Sequence, residues 1–374
     1  MRILVAPDKF KGSLGAAEVA EHIAAGLRDV LPDADIKTLP IGDGGEGTAS
    51  VICSAAGGRW HTCAAHDPLG NEIEARYCTI ASGDTAVMEM SEVAGLWRVP
   101  EHLRNPEIAS SQGVGEMLLA AAGATSIIVG LGGSATNDGG FGLAQALGYR
   151  FFDSDGHELG RSVTELLRLE GIARPPQLRL PEITAAVDVR NPLLGSVGAT
   201  RMFGPQKGAS AEQIETIELA LGRLADVVTR EFGLELRDMP GSGAAGGLGF
   251  GLMAFCGAEV RSGFDVVAEQ IGLEAAVRKA DIVITGEGRL DAQTLQGKGP
   301  AGVARLARAC GKRVYAIVGD FDEGAGLREL FDGIVAAKPE DMGLDVAIRS
   351  APSLLRRRAR ELAERLRQND VAAP

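Results

Sequence analysis

Aromatic side chains are scarce in this chain, at 4% of 374 residues, and its five cysteines are scattered and odd in number. Cys53, Cys63, Cys78, Cys256 and Cys310 form no C-x-x-C pair, which points to free thiols and a reducing compartment. No G-x-x-x-x-G-K-[ST] loop is present, so the chain is not a P-loop enzyme. It lacks the H-R-D and D-F-G pair of protein kinases, and it lacks H-E-x-x-H and G-x-S-x-G. His22, His61, His66, His102 and His157 stand apart, none in a glycine-rich loop, which speaks against histidine catalysis and a zinc site. A basic stripe is missing too, and the net charge of -12 excludes a nucleic-acid surface. It does not exclude an anionic substrate, because local lysines and amides can reverse the field in a cleft. No apolar run reaches membrane-spanning length, and the stretch before Pro7 is too short for a signal peptide. The expectation is a soluble, cytoplasmic protein.

Glycine, by contrast, is plentiful, with 51 residues clustered in a few loops. One event recurs along the chain: a short apolar run ends in a loop of glycine, carboxylate and lysine, and a helix begins. It occurs at Arg2–Ala6 into PDKFKGSL, Ile36–Leu39 into PIGDGGEGT, and Ser126–Gly130 into LGGSATNDGG. It recurs at Ile183–Val189 into RNPLLG and FGPQKGAS, and at Asp281–Thr285 into GEGRLDAQTLQGKGP. Anions bind where a strand gives way to a helix N-terminus, because free N–H groups and the positive dipole end point there.

The length implies two domains. Strand-like segments rich in Ile, Val and Leu alternate with helices, which predicts an α/β fold with a largely parallel sheet. Val19, Ile23, Leu27 and Val30 recur at helical spacing, with Ser13 as a candidate cap. The strand–helix rhythm of residues 1–60 returns at 281–340, with strands expected at Ile282–Thr285, Arg313–Val318 and Gly333–Ala336. Residues 70–90 alternate more like antiparallel strands. The reading is a discontinuous domain of residues 1–70 plus 276–374, with a second α/β domain, 71–275, inserted. The C-terminal helix shows an apolar stripe of Leu355, Ala359, Leu362 and Leu366, and its Arg356–Arg358 run reads as a solvated, ion-paired face.

The loops carry the candidate chemistry. Asp8, Lys9 and Lys11 precede Gly12 and Ser13, so Lys11 can touch a phosphate or be a plain surface lysine. In GDGGEG, Asp43 and Glu46 lie among four glycines, suited to metal, a hydroxylated ligand or a turn. Ser134, Thr136 and nearby amides can wrap a phosphate, while Asn137 and Asp138 can orient a sugar, metal or hydroxyl. Asp188 ends a strand, where a carboxylate projects into a ligand crevice or simply forms the turn before Asn191-Pro192. Gln206 and Lys207 precede a helix starting near Ala211. The last loop holds Glu287, Arg289, Asp291 and Lys298, with Arg289 a candidate fork for a carboxylate. Gly241, Gly243 and Gly246 spell G-x-G-x-x-G, but the run before them is polar and ends in proline, so a glycine-rich helix start is favoured over a dinucleotide site. Carboxylates, lysines and amides without a thiol or histidine centre match phosphoryl transfer.

In this order PDKFKGSL, GDGGEGT, GLGGSATNDGG, DVRNPLLG, FGPQKGAS, GSGAAGGLG and ITGEGRLDAQTLQGKGPAGVA resemble the bacterial glycerate kinase family. The resemblance runs from Arg2 to about residue 320. It implies a Rossmann-like domain built from both chain ends with an inserted α/β domain, and an active site in the cleft between them. It implies phosphorylation of D-glycerate, usually to 2-phosphoglycerate, with ATP and Mg²⁺. The matching residues are Asp8, Lys11, Asp43, Glu46, Ser134, Asn137, Asp138, Asp188, Asn191, Lys207, Glu287, Arg289 and Asp291. Our role assignment makes Asp188, Lys11 and Lys207 catalytic. Asp8, Ser134, Asn137, Asn191 and Arg289 bind substrate or phosphate, and Asp43, Glu46, Asp138, Glu287 and Asp291 hold the metal. Lys9, Arg190, the segment Ser111–Glu116 and Gly299 depart from the family pattern. A kinase of a related hydroxy acid and, behind it, a nicotinamide-dependent dehydrogenase are the alternatives. Neither nucleic acid nor a membrane is an expected partner, and a homodimer is left open.

Overall fold

The computed structural model describes residues 1–291, 299–322 and 326–371. The chain divides into two compact units, one formed by Met1–Asp43 with Phe264–Pro374 and the other by Gly44–Gly263.

The unit made of both chain ends holds a five-stranded, all-parallel sheet. Its spatial order is Gly333–Ala336, Arg313–Val318, Ile282–Thr285, Arg2–Val5 and Asp35–Thr38. The three late strands fall where the apolar runs predict them. Counted along the chain within this unit, the order is 2-1-3-4-5, the flavodoxin-like variant of a doubly wound sheet. The topological switch point therefore lies between Arg2–Val5 and Ile282–Thr285. Alternate side chains feed two cores, as the period of a strand demands. Ile3, Val5, Ile282 and Ile284 pack with the helices Ala16–Arg28 and Ala351–Val371. Leu4, Val283, Val314 and Ala316 pack with Leu273–Lys279 and Gly299–Ala309 on the other face.

The first helix begins at Ala16 behind Gly15, whose N–H donates to Glu18 Oε2 at 2.9 Å. Ser13 is not its cap; the Ser13 hydroxyl donates instead to the Ile348 carbonyl at 3.1 Å. Val30 lies beyond the helix end at Arg28. The C-terminal stripe is buried as expected, and Arg356 pairs with Asp29 while Arg357 and Arg358 reach Glu361. These two helices touch closely at Gly26, where a Cβ would stand 2.3 Å from the Arg356 carbonyl oxygen and 2.7 Å from Ala359 Cβ.

The second unit holds a six-stranded sheet in the order Glu259–Ser262, Glu182–Val187, Ser126–Gly130, Thr85–Glu89, Glu72–Ile80 and Arg59–His66. The first four are parallel and the last two pair antiparallel, in line with the alternation read at residues 70–90. The strand expected to run to Val189 ends at Val187, so Asp188 begins the loop. The helix expected near Ala211 spans Ala211–Phe232, with Ser210 and Gln213 capping each other. The sequence reading sets domain limits at 70/71 and 275/276, whereas the contacts divide at 43/44 and 263/264. Two features account for the offset. Arg59–His66 is hydrogen-bonded along its length to Glu72–Ile80, and Phe264 is buried in a core of the terminal unit.

Gly26→Val should lower stability by about 2–3 kcal/mol, because the added atoms meet backbone that cannot yield. Urea unfolding monitored by circular dichroism measures it.

Candidate active site

In the terminal unit, the loops that follow all five strands line a cavity of about 490 Å³. Parallel strands place their carboxyl ends on one edge, and ligands bind there beside the switch point. Asp8, Lys9, Lys11, Asp43, Glu287, Arg289 and Asp291 all line this cavity. Lys298 lies outside the described residues. Asp8 is 6% exposed, and its Oδ1 accepts the Lys9 N–H at 2.7 Å. Burial, and then the nearby Asp43 charge, push its carboxyl up to about 7. The Lys9 ammonium lies 3.3 Å from Asp43 Oδ1. Lys9 thus links the acids of the first two loops. Gly299 opens a helix beside Asp8, and a Cβ there would stand 3.0 Å from Asp8 Oδ2. Arg289 is exposed and pairs with Asp322 at 2.6 Å.

In the other unit, the loop after Ser126–Gly130 is anchored by Asp138. Its carboxylate is buried and accepts the Ser111 N–H at 2.8 Å, the Ser111 hydroxyl at 2.8 Å, and the N–H groups of Gly140 and Gly142 at 3.1 Å. Both oxygens serve protein donors, which describes a loop clamp and leaves the expected metal role without geometric support. Lys207 is 2% exposed and donates to Ser134 Oγ at 2.7 Å and to the Thr136 carbonyl at 2.6 Å. Loss of hydration drops the ammonium to about 7, against an opposing pull from Asp138. Asn137 donates to Thr200 Oγ1 at 2.8 Å. The buried Thr136 Oγ1 and Asn137 Oδ1 have no hydrogen-bond partner among the described residues. Asn191 donates to the Val197 carbonyl at 2.7 Å, and Asp188 sits half-buried just past its strand.

The G-x-G-x-x-G turn belongs to the same loop cluster and holds no nucleotide fold. No strand leads into it, and a Cβ at Gly246 would stand 2.0 Å from the Thr136 carbonyl oxygen. Ala245, Gly246 and Gly247 all take positive φ, a break in the helix Ala244–Cys256 that lets its backbone meet the Ser134–Gly140 loop.

Glu46 does not share the cavity of Asp43. It lines a separate cavity of about 400 Å³ in the second unit, with Trp60, Arg76, Glu89, Glu92 and Trp97. No trio of His, Cys, Asp or Glu among the described residues is grouped to hold a bare metal ion. Sequence reasoning gave no role to Glu89, Ser111, Thr200 or Lys338. Glu89 is a buried carboxylate that accepts the Gly47 and Ala49 N–H groups, and its signal was a lone acid in the apolar run VMEM. Lys338 follows the last strand, where the strand-end rule applied elsewhere would have found it. Thr200 left no comparable mark.

With this geometry in place, comparison with known proteins decides the lineage. Residues 3–367 match the model of the glycerate kinase family. The chain belongs to the glycerate kinase family. It is 41% identical over 370 residues to a glycerate kinase of Bacillus subtilis, covering 97% of each chain. It is 41% identical over 373 residues to a glycerate 2-kinase of Escherichia coli, covering 98% of each. A solved structure from Salmonella typhimurium LT2, described as a glycerate kinase 2, superposes with a TM-score of 0.87 at 41% identity and 99% coverage of both chains. Among the described residues, no helix is long and apolar enough to cross a membrane.

Lys207 gives a test of the buried network. A base whose folded pKa is depressed weighs against folding while it is protonated, and that penalty fades as pH rises from 7 toward its unfolded value. The unfolding free energy of the wild type relative to Lys207→Met should therefore rise by about 1–3 kcal/mol between pH 7 and 9.5. Urea titrations at each pH measure the difference, and a flat profile would show that Lys207 titrates normally.

Proposed function

We propose that this protein transfers the γ-phosphoryl group of ATP to the 2-hydroxyl of D-glycerate, giving ADP and 2-phosphoglycerate. The observation that carries the reading is the strand-end cavity, where Asp8, Asp43, Glu287 and Asp291 meet Lys9 and Lys11. Carboxylates beside cations suit a phosphate ester with its divalent ion, and among the described residues the cavity lining offers no thiol or imidazole nucleophile. The 41% identity to a glycerate 2-kinase over nearly full length supports the same substrate and product.

Mg²⁺ commonly takes one or two carboxylates plus substrate phosphates. One or two of Asp43, Glu287 and Asp291 would hold it, and when bound it would neutralise charge on the transferring phosphates. Lys11, which is exposed and makes no ion pair among the described residues, neutralises phosphate oxygens from the protein side. Asp188 accepts the proton of the glycerate hydroxyl as the oxygen attacks phosphorus. Ser134, Asn137 and Asn191 orient the small acid. Lys207 holds Ser134 in place and adds positive charge when protonated. Asp138 keeps the loop closed on itself. Arg289 keeps Asp322 as its partner, and Glu46 lines another cavity, so neither is assigned a step.

Purified protein with ATP, Mg²⁺ and D-glycerate should yield ADP and a ³¹P NMR signal of 2-phosphoglycerate; a 3-phosphoglycerate signal would move the attack to the other hydroxyl. Asp188→Asn should lower kcat by about 10²- to 10⁴-fold with an unchanged thermal midpoint. Wild-type turnover in that variant would remove Asp188 as the base.

A further inference from the structure

The cavity of the terminal unit has two chemically different halves. Its mouth is charged, with Asp8, Lys9, Lys11, Asp320 and Lys338 on strand-end loops. One wall is apolar, formed by Ala347, Ile348, Ala351, Leu354 and Leu355, with Leu344 at its exposed rim. These six residues come from the helices Leu344–Arg349 and Ala351–Val371, so one rigid corner presents them together. Nothing in a three-carbon hydroxy acid or in phosphate can use such a wall, because neither has apolar surface to bury. A cavity of about 490 Å³ also exceeds what glycerate would fill, and it falls in the range of sites for larger organic ligands.

We infer that this cavity is the nucleotide site, with the adenine ring of ATP or ADP against Ala347, Ile348, Ala351 and Leu355 and the phosphates at Lys9, Lys11 and Lys338. The inference rests on the kinase reading and adds to it which unit takes the nucleotide. Three features support it. Ala347, Ala351, Leu354 and Leu355 are buried whereas Lys11 is exposed, which matches a ligand with a flat apolar end and an anionic end. Ser13 ties the wall to the first loop through its bond to the Ile348 carbonyl at 3.1 Å, so wall and mouth are one construction. Lys338 is held 3.5 Å from Asp320 at the edge of the wall, which aims a cation along the path the phosphates would take.

The second unit's cavity is the competing site, since both tryptophans of the chain line it. Its chemistry suits a nucleotide less well. Arg76 lies 4.8 Å over the Trp60 ring and Arg98 lies 4.4 Å over the Trp97 ring, so each indole already has a guanidinium on its face. Glu46, Glu89 and Glu92 line it without a lysine, and Arg76 is paired with Glu92 at 2.9 Å. Phosphates there would meet like charge.

Calorimetric titration of the full chain with Mg·ADP, and separately with inorganic tripolyphosphate, tests the assignment. Ala347→Trp fills the wall and should weaken ADP at least about tenfold while leaving tripolyphosphate unchanged. Leu344 is 67% exposed at the rim, so Leu344→Asp folds as the wild type does and should weaken ADP by a smaller factor in the same direction. Lys338→Ala should weaken both ligands. If both wall variants are folded by circular dichroism and bind ADP as the wild type does, the inference is overturned. It is also overturned if Trp97→Ala, in the other unit, gives the tenfold loss instead. A glycerate phosphorylation assay on the wild type separates the two readings. Turnover with wild-type ADP binding in the wall variants would sink only the site assignment, and wall-dependent ADP binding without turnover would sink only the choice of acceptor.

Discussion

Parallel pairing is the constraint on which the rest of the structure depends. A parallel strand cannot be followed by a hairpin, so each chain segment leaves by the same edge and returns through a helix. In each unit the loops after the parallel strands therefore collect on one edge, whatever their separation in sequence. Asp8 and Glu287 are far apart along the chain and share one cavity because their strands are hydrogen-bonded neighbours, Val5 opposite Ile284. Ser134 and Asp188 follow strands that pair in the same way, Val129 opposite Ala185. Register fixes which residues meet, and the helices on either face of the terminal sheet hold that register by burying its alternate side chains.

Such an edge collects polar groups, and the protein handles them in two ways. At Asp138 the carboxyl group is enclosed by four N–H and O–H donors, which offset part of the burial that pushes its pKa up. At Lys207 the charge has two oxygen acceptors and no carboxylate in contact, and its pKa falls to about 7. The first arrangement fixes a loop. The second leaves a group whose charge responds to what enters the site, since an anion nearby would restore the ammonium. Asp8 stands between these cases, with one backbone donor and an acid neighbour. Burying charge weakens a fold unless something compensates, and perturbed groups of this kind gather at functional sites.

The strands and most strand-end loops could be read in the sequence because their signals are local. Ile282–Thr285 and Ser126–Gly130 are compact apolar runs that end in glycine, and Ala211–Phe232 announces itself by Ser210 and Gln213. What the sequence hid was non-local. Ser13 looks like a cap because Ser caps are frequent, yet its acceptor, Ile348, is a residue that no window around Ser13 contains. The domain limit near residue 70 fails for the same reason, since the allegiance of Arg59–His66 is decided by a partner strand. The apolar wall at Leu344–Leu355 was invisible as a site because its residues read as ordinary helix core.

The glycines show how a correct motif can have a different cause from the one its composition suggests. Four glycines around Asp43 and Glu46 read as backbone opened toward a ligand. A Cβ at Gly132 would instead stand 2.4 Å from Gly45 Cα, and one at Gly130 would stand 2.6 Å from the Gly44 carbonyl oxygen. Two glycine-rich loops thus press backbone to backbone, and each is glycine because the other is there. Gly44 also takes a positive φ, with space for a Cβ blocked by the Ala186 carbonyl at 2.9 Å. Close packing of this kind fixes amide and carboxylate directions before any ligand arrives, which is the preorganisation that phosphoryl transfer draws upon. Glycine content at these strand ends is therefore a packing requirement first, and it serves chemistry through the rigidity that the packing creates.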